Sequence, residues 1–165
     1  MKKWILRILV VLLGLIIITL IYGSSIGEQS FEVEITIDAN QSECWNFLQD
    51  PGKWDKWLKD FKEIEMTSAG IPGTAGTSYI LTFDDGEHEL FMTQELTQIV
   101  PNERVQANLS SSVLNGKMDV QLSKNPDGST TIVNHTVYNG TNAITSLAMM
   151  FAHEKMVESQ TKKLL

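Results

Sequence analysis

From Phe61 to Tyr138 the chain reads as short alternating segments separated by tight turns, and this pattern restricts the fold more than any other feature. Strands joined by so few residues have to run antiparallel. Thr77 to Phe83 sets Tyr79, Leu81 and Phe83 against Ser78, Ile80 and Thr82, which is the period of a half-buried strand. Asp84-Asp85-Gly86 is a hairpin signal. The next strand turns His88, Leu90, Met92, Gln94 and Leu96 one way and Glu87, Glu89, Phe91, Thr93 and Glu95 the other, so the charged side belongs outside. Pro101-Asn102-Glu103 and Asn125-Pro126-Asp127-Gly128 are turns. They bound the strands Arg104 to Ser111, Lys117 to Ser123 and Thr130 to Tyr138. Phe61 to Met66 is a weaker strand. In the last strand Val133, His135 and Val137 are expected to face inward.

Phe31 to Ile37 alternates Phe31, Val33, Ile35 and Ile37 with Glu32, Glu34 and Thr36, and is a further strand. Asp38 or Asn40 can cap a helix carrying Cys44, Trp45, Phe47 and Leu48. Asp50-Pro51-Gly52 breaks it, and Lys53 to Lys59 reads as a second short helix with Trp54, Trp57 and Leu58 on its apolar side. Thr141 or Asn142 starts a long C-terminal helix. Its first half is apolar on nearly every face, through Ile144, Leu147, Ala148, Met149, Met150 and Phe151. A sheet face needs a cover, and this helix is the one element large enough. The expected class is α+β: about seven antiparallel strands curved around the C-terminal helix, in one domain over residues 31–165.

The other strong constraint lies at the start. Trp4 to Tyr22 is apolar apart from Arg7, Gly14 and Thr19, and about 20 such residues cross the hydrocarbon of a bilayer. Arg7 can snorkel, and Trp4 and Tyr22 occupy interfacial positions. Residues 1–23 therefore read as a transmembrane anchor and 24–30 as a linker. A cleaved signal peptide, with Gly23-Ser24-Ser25 near the cleavage point, is the competing reading. Both place the domain on the non-cytoplasmic side, in the cell envelope, because Lys2, Lys3 and Arg7 hold the positive end inside.

Of 13 basic residues those three precede or enter the apolar run, which leaves ten against 20 acids in the remainder. Such a surface excludes a nucleic-acid binder, which needs a clustered basic face. A single cysteine, Cys44, excludes an intrachain disulfide and a multi-cysteine zinc site. It reads as a small buried hydrophobe. Gly70, Gly73 and Gly76 lack the following Gly-Lys-Ser/Thr of a phosphate loop. His88 lies beside Asp84, Asp85 and Glu87, but the spacing imposes no convergence of metal ligands. The lysines 53, 56, 59 and 62 alternate with Asp55 and Asp60 and form a solvated face. No cofactor, metal or catalytic set is expected, and the domain is read as a monomer.

Several local patterns resemble the START-like, or SRPBCC, superfamily, which includes the birch-pollen allergen and polyketide cyclase/dehydrase-type proteins. "VEITIDANQSECWNFLQDPGKWDKW" resembles its strand, helix and paired-tryptophan opening, with Ala39-Asn40 where the family usually has Ala-Pro. "GIPGTAGTSYILTF", "IVPNERV" and "DGSTTIVNHTVY" resemble its glycine turn, its mid-sheet turn and its final strand. The resemblance implies a helix-grip fold with a cavity between sheet and helix that holds apolar ligands or lipids. The expected lining is Trp57, Tyr79, Leu81, Leu90, Met92, Gln94, His135, Leu147, Met150 and Phe151, with Gln94 and His135 orienting the ligand. The expected function is a membrane-tethered, exported binding protein for a small hydrophobic molecule or lipid. Two alternatives stay open: a cyclase or hydrolase with His135 as acid/base, and an envelope interaction module whose cavity is filled by side chains.

Overall fold

The computed structural model describes residues 2–164, with side chains from 11 to 154. A helix α1 (Lys2–Ser24) leads into strand β1 (Gln29–Ile37), helix α2 (Gln41–Gln49) and a 3-10 turn (Pro51–Lys56). Six strands follow: β2 (Phe61–Met66), β3 (Ser78–Asp84), β4 (Glu89–Val100), β5 (Arg104–Ser111), β6 (Leu114–Lys124) and β7 (Thr130–Gly140). Helix α3 (Ala143–Leu164) ends the chain. The sheet has seven strands in the order β1-β7-β6-β5-β4-β3-β2, every pair antiparallel. β2 to β7 is a meander, and β1 closes on β7 from the far end of the domain sequence. Register shifts at Phe61/Glu63 and Leu96/Gln98 place bulges in β2 and β4, which bend strands and increase twist. This is the expected α+β class, a seven-stranded antiparallel sheet with a C-terminal helix, consistent with a helix-grip arrangement.

Local chemistry accounts for the joints. Asn40, not Asp38, caps α2: its side chain accepts from the Glu43 N–H at 3.0 Å, and Glu43 reaches back to the Asn40 N–H, a capping box. Pro51 opens the next segment as a 3-10 turn that ends at Lys56, so it is shorter and tighter than the helix expected to Lys59. The Trp54 indole donates to Leu48 O at 2.8 Å and ties that turn to α2. Gln41 Nε2 donates to Leu122 O at 3.0 Å, and the fully buried Thr130 hydroxyl to Ala39 O at 2.8 Å. These two bonds hold α2 over β6 and β7. Asn142 caps α3 by accepting from the Ile144 and Thr145 N–H groups.

One face of the sheet is the inner one. It carries a buried cluster of Val33, Ile35, Cys44, Leu122 and Ile132 and a second of Leu96, Val105 and Ala107. Trp45 on α2 packs against both. The outer face is polar. On it Arg104 Nε donates to Asp119 Oδ1 at 2.8 Å, and Gln106 and Gln121 donate to Asp119 Oδ2. The Arg104 guanidinium, with the two amides, holds the Asp119 carboxyl below its usual value of 3.8. A depressed carboxyl stabilises the fold fully above its unfolded value and stops doing so as pH falls through its native one. Stability is therefore expected to fall below pH 3.8, and Asp119→Asn should flatten that decline. Urea midpoints measured across this range check it; parallel slopes would refute it.

The C-terminal helix departs from the expected placement. α3 packs on α1, β7 and β1 rather than across the middle of the sheet. Among the residues whose side chains are described, none of α3 belongs to either buried cluster. Two close backbone approaches set this position. A Cβ at Gly140 would lie 2.1 Å from Ser146 N, and one at Gly23 would lie 2.1 Å from Ala143 O. Among the described residues no helix is long and apolar enough to cross a membrane. Trp4 and Arg7 of the expected anchor lie outside the residues whose side chains are described. Within α1 the large apolar residues from Val11 to Tyr22 are exposed, Leu13 to 58% and Ile18 to 64%.

Candidate functional site

Pairing of β3 with β4 sets Tyr79 beside Gln94, Leu81 beside Met92 and Phe83 beside Leu90. β5 continues the rows, with Leu109 beside Gln94 and Ala107 beside Leu96. All share the inner face, because side chains alternate along each strand and opposite partners point the same way. Leu81 and Gln94 are buried there, whereas Tyr79, Leu90, Met92 and Leu109 are half-buried. Five of the ten expected ligand-binding residues are thus brought together: Tyr79, Leu81, Leu90, Met92 and Gln94. They lie side by side on the inner face of β3–β5, a largely apolar trough next to the Leu96–Val105–Ala107 cluster, on which Trp45 and Tyr79 pack.

The polar atoms of the trough differ in their state. The Tyr79 hydroxyl is engaged, accepting from the Gly73 N–H at 2.7 Å. The Trp57 ring is half-buried and packs edge-on against Trp54, with centroids 6.1 Å apart. Its indole N–H is buried with no hydrogen-bond partner among the described residues. Gln94 is only 7% exposed, but among the described residues Trp57 Nε1 is the one buried side-chain N or O atom without a partner.

His135 lies elsewhere. Its register partners are Glu32 on β1 and Asp119 on β6, both on the outer face, and it is exposed. The inward expectation for Val133, His135 and Val137 is corrected: the inner residues of β7 are Ile132, Asn134, Thr136 and Tyr138. Both faces of β7 carry β-branched residues, so alternation within the strand does not choose between them. The neighbours decide it, since Ile132 pairs with Ile35 and with Leu122. Asn134 and Thr136 are the inward polar groups, and the Thr136 hydroxyl donates to Asn134 Oδ1 at 3.1 Å. The partner strands were the available signal for them.

The α3 residues are also separated from the trough. Leu147 is half-buried, and Phe151 is 74% exposed. Met150 and His153 line a shallow open groove of about 410 Å³ beside the linker, with Ile26 to Ser30 opposite. His153 is half-buried. Its Nδ1 is 2.8 Å from the Tyr138 hydroxyl, and the two rings stack. Burial raises the Tyr138 hydroxyl above its ordinary value. The groove lies at the β1–α3 corner, away from the β3–β5 floor. Among the described residues no group of acidic, histidine and cysteine side chains could hold a metal ion. The turn at Asp84 to Gly86 is instead satisfied internally. Asp85 accepts from the Glu87 and His88 N–H groups, which lower its carboxyl.

Solved structures with this architecture include the Zhui aromatase/cyclase from Streptomyces sp. R1128. It is 12% identical, with a TM-score of 0.66 over 83% of this chain and 91% of that one. A conserved protein from Geobacillus kaustophilus is 16% identical, with a TM-score of 0.64 over 82% and 91% of the two chains. Norcoclaurine synthase from Thalictrum flavum is 15% identical, with a TM-score of 0.57 over 87% and 90%. At such identities these likenesses concern the fold alone. A search of curated proteins found no match. The family model described as polyketide cyclase/dehydrase and lipid transport matches residues 28–165. That span takes in the whole sheet and both flanking helical segments, and the chain belongs to this family.

Proposed function

We propose that this domain binds a small apolar molecule or lipid in the trough of β3, β4 and β5. The observation that supports it is the composition of that floor. Tyr79, Leu109, Met92 and Leu96 surround Gln94, Leu81 and Leu90 extend the same face, and no residue of that face on the three strands is charged. Apolar walls with few polar groups are what such sites use for affinity and orientation. Family membership supports the same class of ligand. The acid/base alternative loses its residue, because His135 faces solvent on the other side of the sheet.

We further propose that residues 4–22 tether the domain to a membrane, with the domain on the non-cytoplasmic side. The support is the apolar run itself and the exposure of Val11 to Tyr22 around α1, an arrangement suited to lipid contact. A reporter active only outside the cytoplasm, fused after Leu165, should be active in the membrane fraction.

Met92→Lys should reduce binding of an apolar fluorescent probe to the full-length protein in amphipol by at least about 10-fold. It places a charge on the floor at a half-buried position. His135→Gln should leave binding unchanged. Equal affinities in all three proteins would exclude the trough as the site.

A further inference from the structure

Two large apolar residues exposed on α3 share one face. Ile144 is 63% and Phe151 74% exposed, with the exposed Ala148 between them. This spacing sets all three in one line along the helix, and the exposed Glu154 ends the line. The opposite face holds the domain. Ser146 is buried with its backbone against Gly140, Met150 and His153 line the groove beside the linker, and His153 meets the Tyr138 hydroxyl. Among the described residues beyond α1, the other exposed large apolar side chains are Phe47, Ile71 and Phe91, one each on α2, a loop and β4. Single exposed residues of that kind are ordinary, whereas a continuous apolar line on a helix is a contact surface.

The position of α1 indicates what covers the line. The run from Trp4 to Tyr22 has 19 residues, which as a helix reach about 28 Å, close to the roughly 30 Å of bilayer hydrocarbon. On the tether reading, Tyr22 marks the level at which α1 leaves the lipid. The next residue, Gly23, is packed on Ala143 at the start of α3. β1 begins, β7 ends and α3 starts at this same end of the sheet, and the loop 67–77 lies at the other. His153, nearly three turns along α3, still meets Tyr138, the partner of Gln29 at the start of β1. We infer that Ile144, Ala148 and Phe151 lie in the interfacial layer of the membrane that holds α1, so that α3 rests along the lipid surface and docks the folded domain on it. This inference rests on the tether reading above and extends it from the anchor to the domain. The contact is apolar. No residue of the line is charged, and beyond the apolar run the chain carries ten basic against 20 acidic residues, so the fitting partner is a neutral phosphatidylcholine surface rather than an anionic one.

The test places a nitroxide at one site at a time in the full chain in phosphatidylcholine nanodiscs, through Leu15→Cys, Phe151→Cys or Ile71→Cys. Cys44 is buried and stays unlabelled. Accessibility to oxygen and to a water-soluble nickel complex gives the depth of each label. The Leu15 label is expected in the hydrocarbon and the Phe151 label about 5–10 Å into the boundary of headgroups and acyl chains. The Ile71 label is expected in water, although Ile71 at 72% is as exposed as Phe151. A Phe151 label as open to nickel as the Ile71 label, with the Leu15 label in lipid, would overturn the docking of α3 and leave the tether standing. Spin–spin broadening at 151 in place of lipid contact would also overturn it, by assigning the line to a second copy of the chain. A Leu15 label open to nickel would sink the tether reading and this inference with it.

Discussion

Trp45→Ala should lower the stability of the domain by about 3 kcal/mol, near the lower end for removal of a large aromatic from a packed interior. Trp45 is half-buried, yet it touches both inner-face clusters, the one around Ile35 and Ile132 and the one around Leu96 and Ala107. With α3 displaced to the β1 edge, this α2 side chain is what joins them. Its loss opens a void that neither cluster fills alone, because α2 is held at a fixed height by Gln41 on β6 and by the Thr130 bond to Ala39. Equilibrium urea unfolding measures the effect. A loss below about 1 kcal/mol would mean that the clusters stabilise independently.

Gly140→Ala should be comparably severe, at about 3 kcal/mol, by the opposite mechanism. The added methyl would sit 2.1 Å from Ser146 N and 2.5 Å from the Thr145 carbonyl carbon. These are backbone atoms of the first turn of α3, so no side-chain rotation relieves the clash. The helix has to move, and the hydrogen bond between Tyr138 and His153 should be lost with it. The imidazole signals of His153 report that directly. A variant with unchanged His153 signals and unchanged stability would contradict the observed join of β7 to α3.

Strand identities and order were readable in the sequence because Tyr79, Leu81 and Phe83, and Leu90, Met92 and Gln94, alternate against neighbours that are polar except for Ile80 and Phe91. For the same reason those inward residues of β3 and β4 were identified correctly. β7 offers no such contrast, since Ile132, Val133 and Val137 are distributed over both faces, and only pairing with Ile35 and Leu122 fixes which side is inner. The placement of α3 was hidden for a different reason. Its apolar residues surround the helix and name no single partner, so its position depends on the glycine contacts at Gly23 and Gly140, which are three-dimensional facts. Trp57 was singled out by residue type, but its buried, unpaired indole N–H is visible only once every neighbour is in place.

The strand order has a consequence for how the protein is made. Each of β2 to β7 meets its sequence neighbour across a turn or a loop no longer than residues 67–77, whereas β1 waits for β7, and the hydroxyls of Thr36 and Thr131 that meet across that pair are 95 residues apart. Closing so long a loop is entropically costly and comes late. The first strand to leave the ribosome is therefore the last to gain a neighbour. At about 5–20 residues per second, synthesis alone leaves it without β7 for several seconds. During that interval Phe31, Val33 and Ile35 are an exposed alternating segment of the kind that seeks other edges. Newborn chains stalled before Thr130 should accordingly be held by chaperones or aggregate.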